Sequence, residues 1–119
     1  MRKINIDGRE LGLKATVSVL FPYRKKFDTS IMADIQKIQG MLEKMGEANF
    51  ENFNAEIILR VVWALNKNYE DRKDFPELDE WVNQFENINF GDPEFLPVVA
   101  REGISGFFRS SKKTGRKPE

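Results

Sequence analysis

The most apolar helical pattern in the chain is NAEIILRVVWALNKNY, residues 54–69. Its large apolar residues cover a wide arc of the helix surface, so we predict that several neighbouring elements pack around this helix. Asn54 is the expected N-cap, because an asparagine side chain accepts a hydrogen bond from a free backbone N–H. Several residues are β-branched, which leaves a buried strand as the alternative. The residues assigned to the core are Ile57, Ile58, Val61, Val62, Trp63 and Leu65.

Residues 3–17, KINIDGRELGLKATV, alternate apolar and polar side chains on both sides of Asp7 and Gly8. An Asp-Gly pair between two alternating runs predicts a β-hairpin, because both residues accept positive φ angles. A two-residue turn there pairs Ile6 with Arg9. A lone hairpin is marginal in water, so its apolar face must pack on helices. The residues predicted to share that face are Ile4, Ile6, Leu11 and Leu13.

Two helices are predicted between the hairpin and the central helix. Residues 18–27, SVLFPYRKKF, have Ser18 as the expected cap, and Pro22 lies early enough in the helix to be tolerated. Residues 30–45 carry apolar side chains at spacings of three and four, and Gly46 is the expected stop.

Two further helical patterns follow the central helix. Residues 74–86, DFPELDEWVNQFE, have Asp74 as the expected cap and acidic residues near the positive end of the helix. Residues 90–108, FGDPEFLPVVAREGISGFF, have their cap at Asp92. Two glycines close to the end of this pattern, at positions 103 and 106, predict a loosely packed end, and Pro97 predicts a bend.

The sequence therefore predicts an α+β fold, mainly α, with an N-terminal β-hairpin packed on a bundle of about five helices. Residues 1–109 are assigned to a single domain, with the hairpin at 3–17 and the helices at 18–109. Residues 110–119, SSKKTGRKPE, are predicted to be a basic disordered tail.

The chain contains neither cysteine nor histidine. These absences exclude thiol and histidine catalysis, and they remove the usual ligands of zinc and iron–sulfur sites. No phosphate-binding GxxxxGKS/T or GxGxxG motif is present either. We therefore expect no catalysis, no cofactor and no metal. Carboxylate chemistry remains as a rival, and its candidate residues are Glu77, Asp79 and Glu80 for acid–base work and Asp71 and Asp74 for a cation, although solvated surface charge explains all five.

The formal net charge is zero, but its distribution is uneven. Nine acidic residues lie between Glu70 and Glu94, against Arg72 and Lys73, while the last ten residues are basic. This pattern is not that of a basic nucleic-acid-binding domain. The basic tail could contact an acidic protein or nucleic acid weakly, or could act as a solubilising terminus. We expect no membrane contact, because the apolar runs are short and MRKINIDGRE lacks the apolar region of a signal peptide.

Large aromatic residues are the side chains most able to anchor a partner. For Trp81 and Phe85, core packing and partner binding both remain open. Phe107 and Phe108 are adjacent, so their side chains point about 100° apart on a helix and cannot easily enter one core face. Partner binding at this end of the chain is therefore a hypothesis of its own.

The order of these segments resembles that of tail assembly chaperones from long-tailed phages of Gram-positive bacteria. That family has an INGKEY-like hairpin, a K/RAT segment, a YR-x-KFG-like end and a D-I-x-x-D-M-x-K-like helix, followed by an apolar helix and an EEWLDxFD…LPxI segment. Asp28 stands where the family has glycine, and GISGFF replaces a more aliphatic helix end. The matching residues are Ile6-Asp7-Gly8, Lys14-Ala15-Thr16, Tyr23-Arg24, Lys26-Phe27, Ile31 to Lys37, Asp79-Glu80-Trp81, Phe85 and Leu96-Pro97.

The resemblance implies a protein that binds the tape-measure protein, keeps this long helical chain soluble and recruits tail-tube subunits. It implies work in the host (bacterial) cytoplasm rather than in the mature virion, and self-association is a further expectation. The alternative is a generic interaction or regulatory module of a prophage or bacterial operon, without catalysis. The candidate partner-binding residues are Trp81, Phe85, Phe95, Phe107, Phe108, Lys112 and Lys113.

Overall fold

The computed structural model describes residues 1–44 and 54–108 of the chain. Within this part the fold is α+β and mainly α, as predicted, with an N-terminal two-stranded antiparallel hairpin and five α-helices. None of the helices in these two ranges combines the length and the apolar character needed to cross a bilayer. The elements are β1 (Arg2–Ile6), β2 (Arg9–Leu13), a 3-10 turn (Val17–Val19), α1 (Leu20–Phe27), α2 (Ile31–Lys44), α3 (Ala55–Glu70), α4 (Leu78–Val82) and α5 (Leu96–Phe108).

The hairpin has the predicted register, with Ile6 paired to Arg9 and Ile4 paired to Leu11. Asp7 and Gly8 form the turn with φ angles of 54° and 83°, so both occupy the left-handed region that a two-residue turn of this kind requires. The apolar face packs inward as expected: Ile4, Ile6 and Leu13 are buried, and Leu11 is half-buried.

The central element is α3, which contacts β2, α2, α4 and the 3-10 turn. The strand alternative for this segment is wrong, because residues 55–70 are helical throughout. The predicted cap is confirmed: Asn54 Oδ1 accepts a hydrogen bond from the backbone N–H of Ile57 at 3.2 Å. All six apolar residues assigned to the core are buried, including Trp63, whose side chain is 4% exposed.

Helix α1 begins at Leu20 rather than at Ser18, because residues 17–19 form a tighter 3-10 turn. Ser18 is therefore not a helix cap, and its hydroxyl lies 2.7 Å from the hydroxyl of Thr16. The helix ends at Asp28, which adopts the left-handed conformation with φ 57°. Aspartate tolerates this region better than most residues other than glycine.

Helix α2 spans Ile31–Lys44, close to the predicted 30–45. The hydroxyl of Ser30 accepts a hydrogen bond from the backbone N–H of Met32 at 3.1 Å, which satisfies one of the free donors of the first turn. The predicted stop at Gly46 lies outside the described residues.

Helix α4 is shorter than the predicted segment 74–86, and Asp74 is not its cap. Asp74 instead pairs with Arg72, at 2.8 Å between carboxylate and guanidinium. The intervening chain is held by the central helix, because Trp63 Nε1 donates a hydrogen bond to the carbonyl of Pro76 at 3.0 Å and Phe75 is buried. These tertiary contacts keep residues 75–77 out of the helix.

Helix α5 begins at Leu96, after a turn in which Asp92 Oδ1 accepts a hydrogen bond from the backbone N–H of Glu94 at 2.9 Å. Pro97 is its second residue, where a backbone N–H has no helical acceptor, so the proline removes no helical hydrogen bond.

The predicted loose packing at the end of α5 is wrong. Gly103 is buried, and a Cβ atom there would come within 3.0 Å of Ile35 Cγ1 on α2. A Cβ atom on Gly106 would collide with the carbonyl oxygen of Ala15. The two glycines therefore allow α5 to approach α2 and the end of the hairpin closely.

Gly106→Ala should destabilise the fold by about 1–3 kcal/mol, because the added methyl group meets backbone atoms of Ala15 that cannot move aside cheaply. Gly40→Ala is the matched control, since this glycine also lies in a helix but has no atom within 4 Å of the new Cβ position. The control should gain about 0.5–1 kcal/mol from helix propensity alone. Urea unfolding measures both changes, and equal effects of the two substitutions would refute the close approach.

Candidate functional site

Two large apolar side chains project from the surface where the hairpin leads into α1. Phe21 is 82% exposed and Val17 is 74% exposed, one helical turn apart, and the neighbouring Pro22 is also exposed. The opposite side of this segment is buried through Val19 and Tyr23. We call Val17, Phe21 and Pro22 the apolar patch. This patch is a candidate contact surface, because its exposed apolar side chains are neighbours in the chain.

One residue of the apolar patch, Pro22, also lines a groove of about 410 Å³ between α1 and α3, here called the α1–α3 groove. Its floor is aromatic and largely buried, because Tyr23 and Trp63 are only 2% and 4% exposed. The lining residues from α1 and the preceding turn are Ser18, Val19, Pro22 and Tyr23, those from α3 are Trp63, Ala64, Lys67 and Asn68, and those from the following loop are Asp71, Arg72 and Lys73.

The rim of the groove is basic. Lys67 lies with its ammonium nitrogen 5.1 Å from the ring centroid of Trp63, and Lys73 is exposed at the loop end. Arg72 is already shared between Asp74, at 2.8 Å, and Glu70, at 3.7 Å, so its charge is partly neutralised. An apolar floor with a charged rim is the usual anatomy of a protein-binding surface.

A buried polar cluster beneath α1 holds this wall of the groove in place. The hydroxyl of Tyr23 donates a hydrogen bond to Asp34 Oδ2 at 2.6 Å, and Arg60 Nη2 donates to the same oxygen at 3.1 Å. Burial raises the pKa of Tyr23 above its ordinary value, and the hydrogen bond to Asp34 raises it further. The cluster ties α1, α2 and α3 together, because each of the three residues comes from a different helix.

A second buried acid, Glu102, fastens α5 to the hairpin. Its Oε1 accepts a hydrogen bond from Arg2 Nη1 at 2.9 Å, and its Oε2 accepts one from the backbone N–H of Ala15 at 2.8 Å. Sequence reasoning identified neither Glu102 nor Asp34. A signal was present in each case, since Asp34 falls on the apolar stripe of α2 and Glu102 falls on the inward face of α5.

The predicted partner-binding aromatics divide into two groups. Trp81 and Phe95 are 2% and 1% exposed, and Trp81 Nε1 donates a hydrogen bond to Asn66 Oδ1 at 3.1 Å inside the core. Phe85, Phe107 and Phe108 are half-buried, so part of each ring remains accessible. Phe85 rests edge-on against Trp81, with 5.2 Å between ring centroids. Lys112 and Lys113 lie outside the described residues.

The carboxylates considered for catalysis or cation binding form no joint site. Glu77 pairs with Lys26 at 2.8 Å, and this hydrogen bond holds the pKa of Glu77 below its ordinary value. Asp79 accepts a hydrogen bond from the backbone N–H of Glu80, and both are exposed. Within residues 1–44 and 54–108, no group of three or more side chains of the metal-binding types lies close enough to hold an ion.

Comparisons of the chain with protein-family models, with curated proteins and with solved structures find no match. The α1–α3 groove is the candidate site because of its exposed apolar neighbours, its charge and its geometry.

Tyr23→Phe tests the buried cluster below the groove. Loss of the hydroxyl removes one of the two hydrogen bonds to Asp34 Oδ2, so the free energy of unfolding at neutral pH should fall by about 1–3 kcal/mol. Tyr69→Phe is the control, because the Tyr69 hydroxyl has no hydrogen-bond partner among the described residues. Equal losses in both variants, measured by urea unfolding, would contradict the cluster.

The hydrogen-bonded pair of Tyr23 and Asp34 also makes the free energy of unfolding depend on pH. The folded pKa of Tyr23 is raised, so above pH ~10 the unfolded chain loses this proton while the folded chain keeps it. Rising pH then favours unfolding. Wild-type stability should therefore decline more steeply above pH ~10 than that of Tyr23→Phe, and identical slopes would speak against a raised pKa.

Proposed function

We propose that this chain is a phage tail assembly chaperone that binds the tape-measure protein, keeps it soluble and recruits tail-tube subunits in the host cytoplasm. The observation that carries the proposal is the exposure of Phe21 and Val17 beside an aromatic-floored groove. Covering apolar surface is favourable by about 25 cal/mol per Å², so a protein that leaves an aromatic ring in water gains by binding an apolar partner.

The physical demands of such a role agree with this surface. A long amphipathic client must be shielded and then released, which calls for contacts that are individually weak and repeated along the client. A shallow groove with a charged rim meets that demand better than a deep enclosed pocket, because the client can leave without opening the core.

The residues that carry the family resemblance support the same proposal. Tyr23 lines the groove, and Phe27 packs against its floor, with 5.8 Å between the ring centroids of Phe27 and Trp63. Asp34 belongs to the segment Ile31 to Lys37 and anchors Tyr23 from below. The matching motifs therefore build and brace the wall that carries Phe21.

Co-expression of the chain with the tape-measure protein encoded in the same gene cluster tests the proposal. We expect the soluble fraction of the client to increase about tenfold, and the two proteins to purify together through a tag on the client. An unrelated small protein produced at the same level is the control. A client that stays equally insoluble with both proteins contradicts the proposed function, and a stable complex with a different partner would favour the regulatory alternative.

A further inference from the structure

We infer that the α1–α3 groove receives an acidic amphipathic helix, whose apolar side chains cover Phe21 and Val17 while its carboxylates meet the basic rim. The inference rests on the proposed function for the identity of the client, but the chemistry of the partner follows from the groove itself. Three features of the described residues carry it: the helical walls, the sign of the charge and the lack of a matching surface on this chain.

The walls of the groove favour a helix over an extended strand. Both walls are helical, from the 3-10 turn and α1 on one side and from α3 on the other. Backbone donors and acceptors inside helices are already paired, so the groove offers no free edge for strand addition. A partner must bind through side chains, and the spacing of Val17 and Phe21 by one turn suits the i, i+3, i+4 anchors of an amphipathic helix.

The charge around the groove favours an acidic partner. Residues 11–27 contain four basic residues and no acidic one. Arg24 and Lys25 are exposed on α1 beyond the apolar patch, and Lys73 is exposed at the loop end; these three cations have no carboxylate partner among the described residues. Asp71 is the acidic side chain of the lining, against Lys67 and Lys73, while Arg72 is already paired with Asp74 and Glu70. Such a field attracts acidic segments and disfavours basic ones.

A second copy of this chain is the competing occupant, because nine acidic residues lie between Glu70 and Glu94. In the described part, however, eight of these acids are on loops and on α4, which has only five residues, and Glu70 is the last residue of α3. The apolar side chains of α4 are already used, since Leu78 and Val82 pack against the core. No helix in the described ranges therefore presents an exposed apolar stripe flanked by acids, and a separate client fits the groove better.

The test uses a synthetic helical peptide of about 18 residues, with Leu and Phe at i, i+3, i+4 and i+7 positions and Glu elsewhere, and a twin in which Lys replaces every Glu. Binding is followed by fluorescence anisotropy on the full chain. The Glu peptide should bind at least about tenfold more tightly than the Lys peptide, and its affinity should fall as salt is raised.

Two variants locate the site. Val17→Ser/Phe21→Ser should weaken binding of the Glu peptide by about tenfold or more, because it removes the apolar anchors. Lys67→Glu/Lys73→Glu should reduce the preference for the Glu peptide over the Lys peptide, because it reverses two charges of the basic rim. All four side chains are exposed, so circular dichroism should show an unchanged fold. Phe108→Ser is the matched control at the other aromatic surface and should bind like wild type.

Several results would overturn the inference. Equal affinity for the two peptides would contradict the preference for an acidic partner. Wild-type affinity of Val17→Ser/Phe21→Ser for the Glu peptide would contradict the α1–α3 groove as the binding site. Sedimentation velocity without peptide gives a further outcome: self-association that disappears in the same variant identifies a second copy as the occupant and refutes a client helix.

Two combinations of results distinguish a failure of the groove assignment from a failure of the proposed function. If Val17→Ser/Phe21→Ser keeps the tape-measure protein as soluble as wild type does, the groove assignment fails while the chaperone role stands. If the peptide results are as expected but the tape-measure protein is not solubilised, the groove stands and the chaperone role fails.

Discussion

A hairpin of two five-residue strands is too small to be stable in water, so the fold depends on how α3 covers it. One buried amide contributes to this attachment. Asn66 is 2% exposed; its Nδ2 donates a hydrogen bond to the carbonyl of Gly12 at 2.9 Å, and its Oδ1 accepts one from Trp81 Nε1 at 3.1 Å. The backbone N–H of Lys14 adds a bond to the carbonyl of Leu65 at 3.2 Å. Because both ends of the amide are satisfied inside the core, it fixes the relative positions of β2, α3 and α4 as well as stabilising them.

The candidate site is a consequence of this arrangement. With α3 occupied by the hairpin, α2 and α4, the eight-residue α1 can bury only one side, and Tyr23 holds that side down through Asp34. Phe21 is left facing water next to Pro22, which lines the groove that α3 completes. Exposure of an aromatic ring is costly, and it is reversed when a partner covers the ring. The four basic residues within 11–27, together with Lys67 and Lys73 on the rim, then make the charge around this apolar surface positive.

Local signals in the sequence predicted most of the fold. Asp7-Gly8 set the hairpin register, and Asn54 marked the start of α3, because each acts through neighbouring backbone atoms. Roles that depend on residues far away in the sequence could not be predicted from local patterns. Gly103 and Gly106 indicated a weak helix end by propensity, whereas their role depends on Ile35 and Ala15. The pairing of Arg2 with Glu102 joins residues 100 apart, which no local pattern reveals.

The candidate site was predicted less well, for a related reason. Aromatic residues were selected by type, but exposure depends on which side of each helix docks, and that choice is tertiary. Phe21 was not selected, although residues 18–27 carry apolar side chains around the whole helix, more than one buried face can hold. Site-specific photo-crosslinking from position 21, in cells that also produce a tape-measure protein, tests the proposed contact most directly. The proposed binding site predicts a cross-link from position 21 to the tape-measure protein, identified by mass spectrometry, and none from position 108. A cross-link from position 108 and none from position 21 would contradict the proposed site.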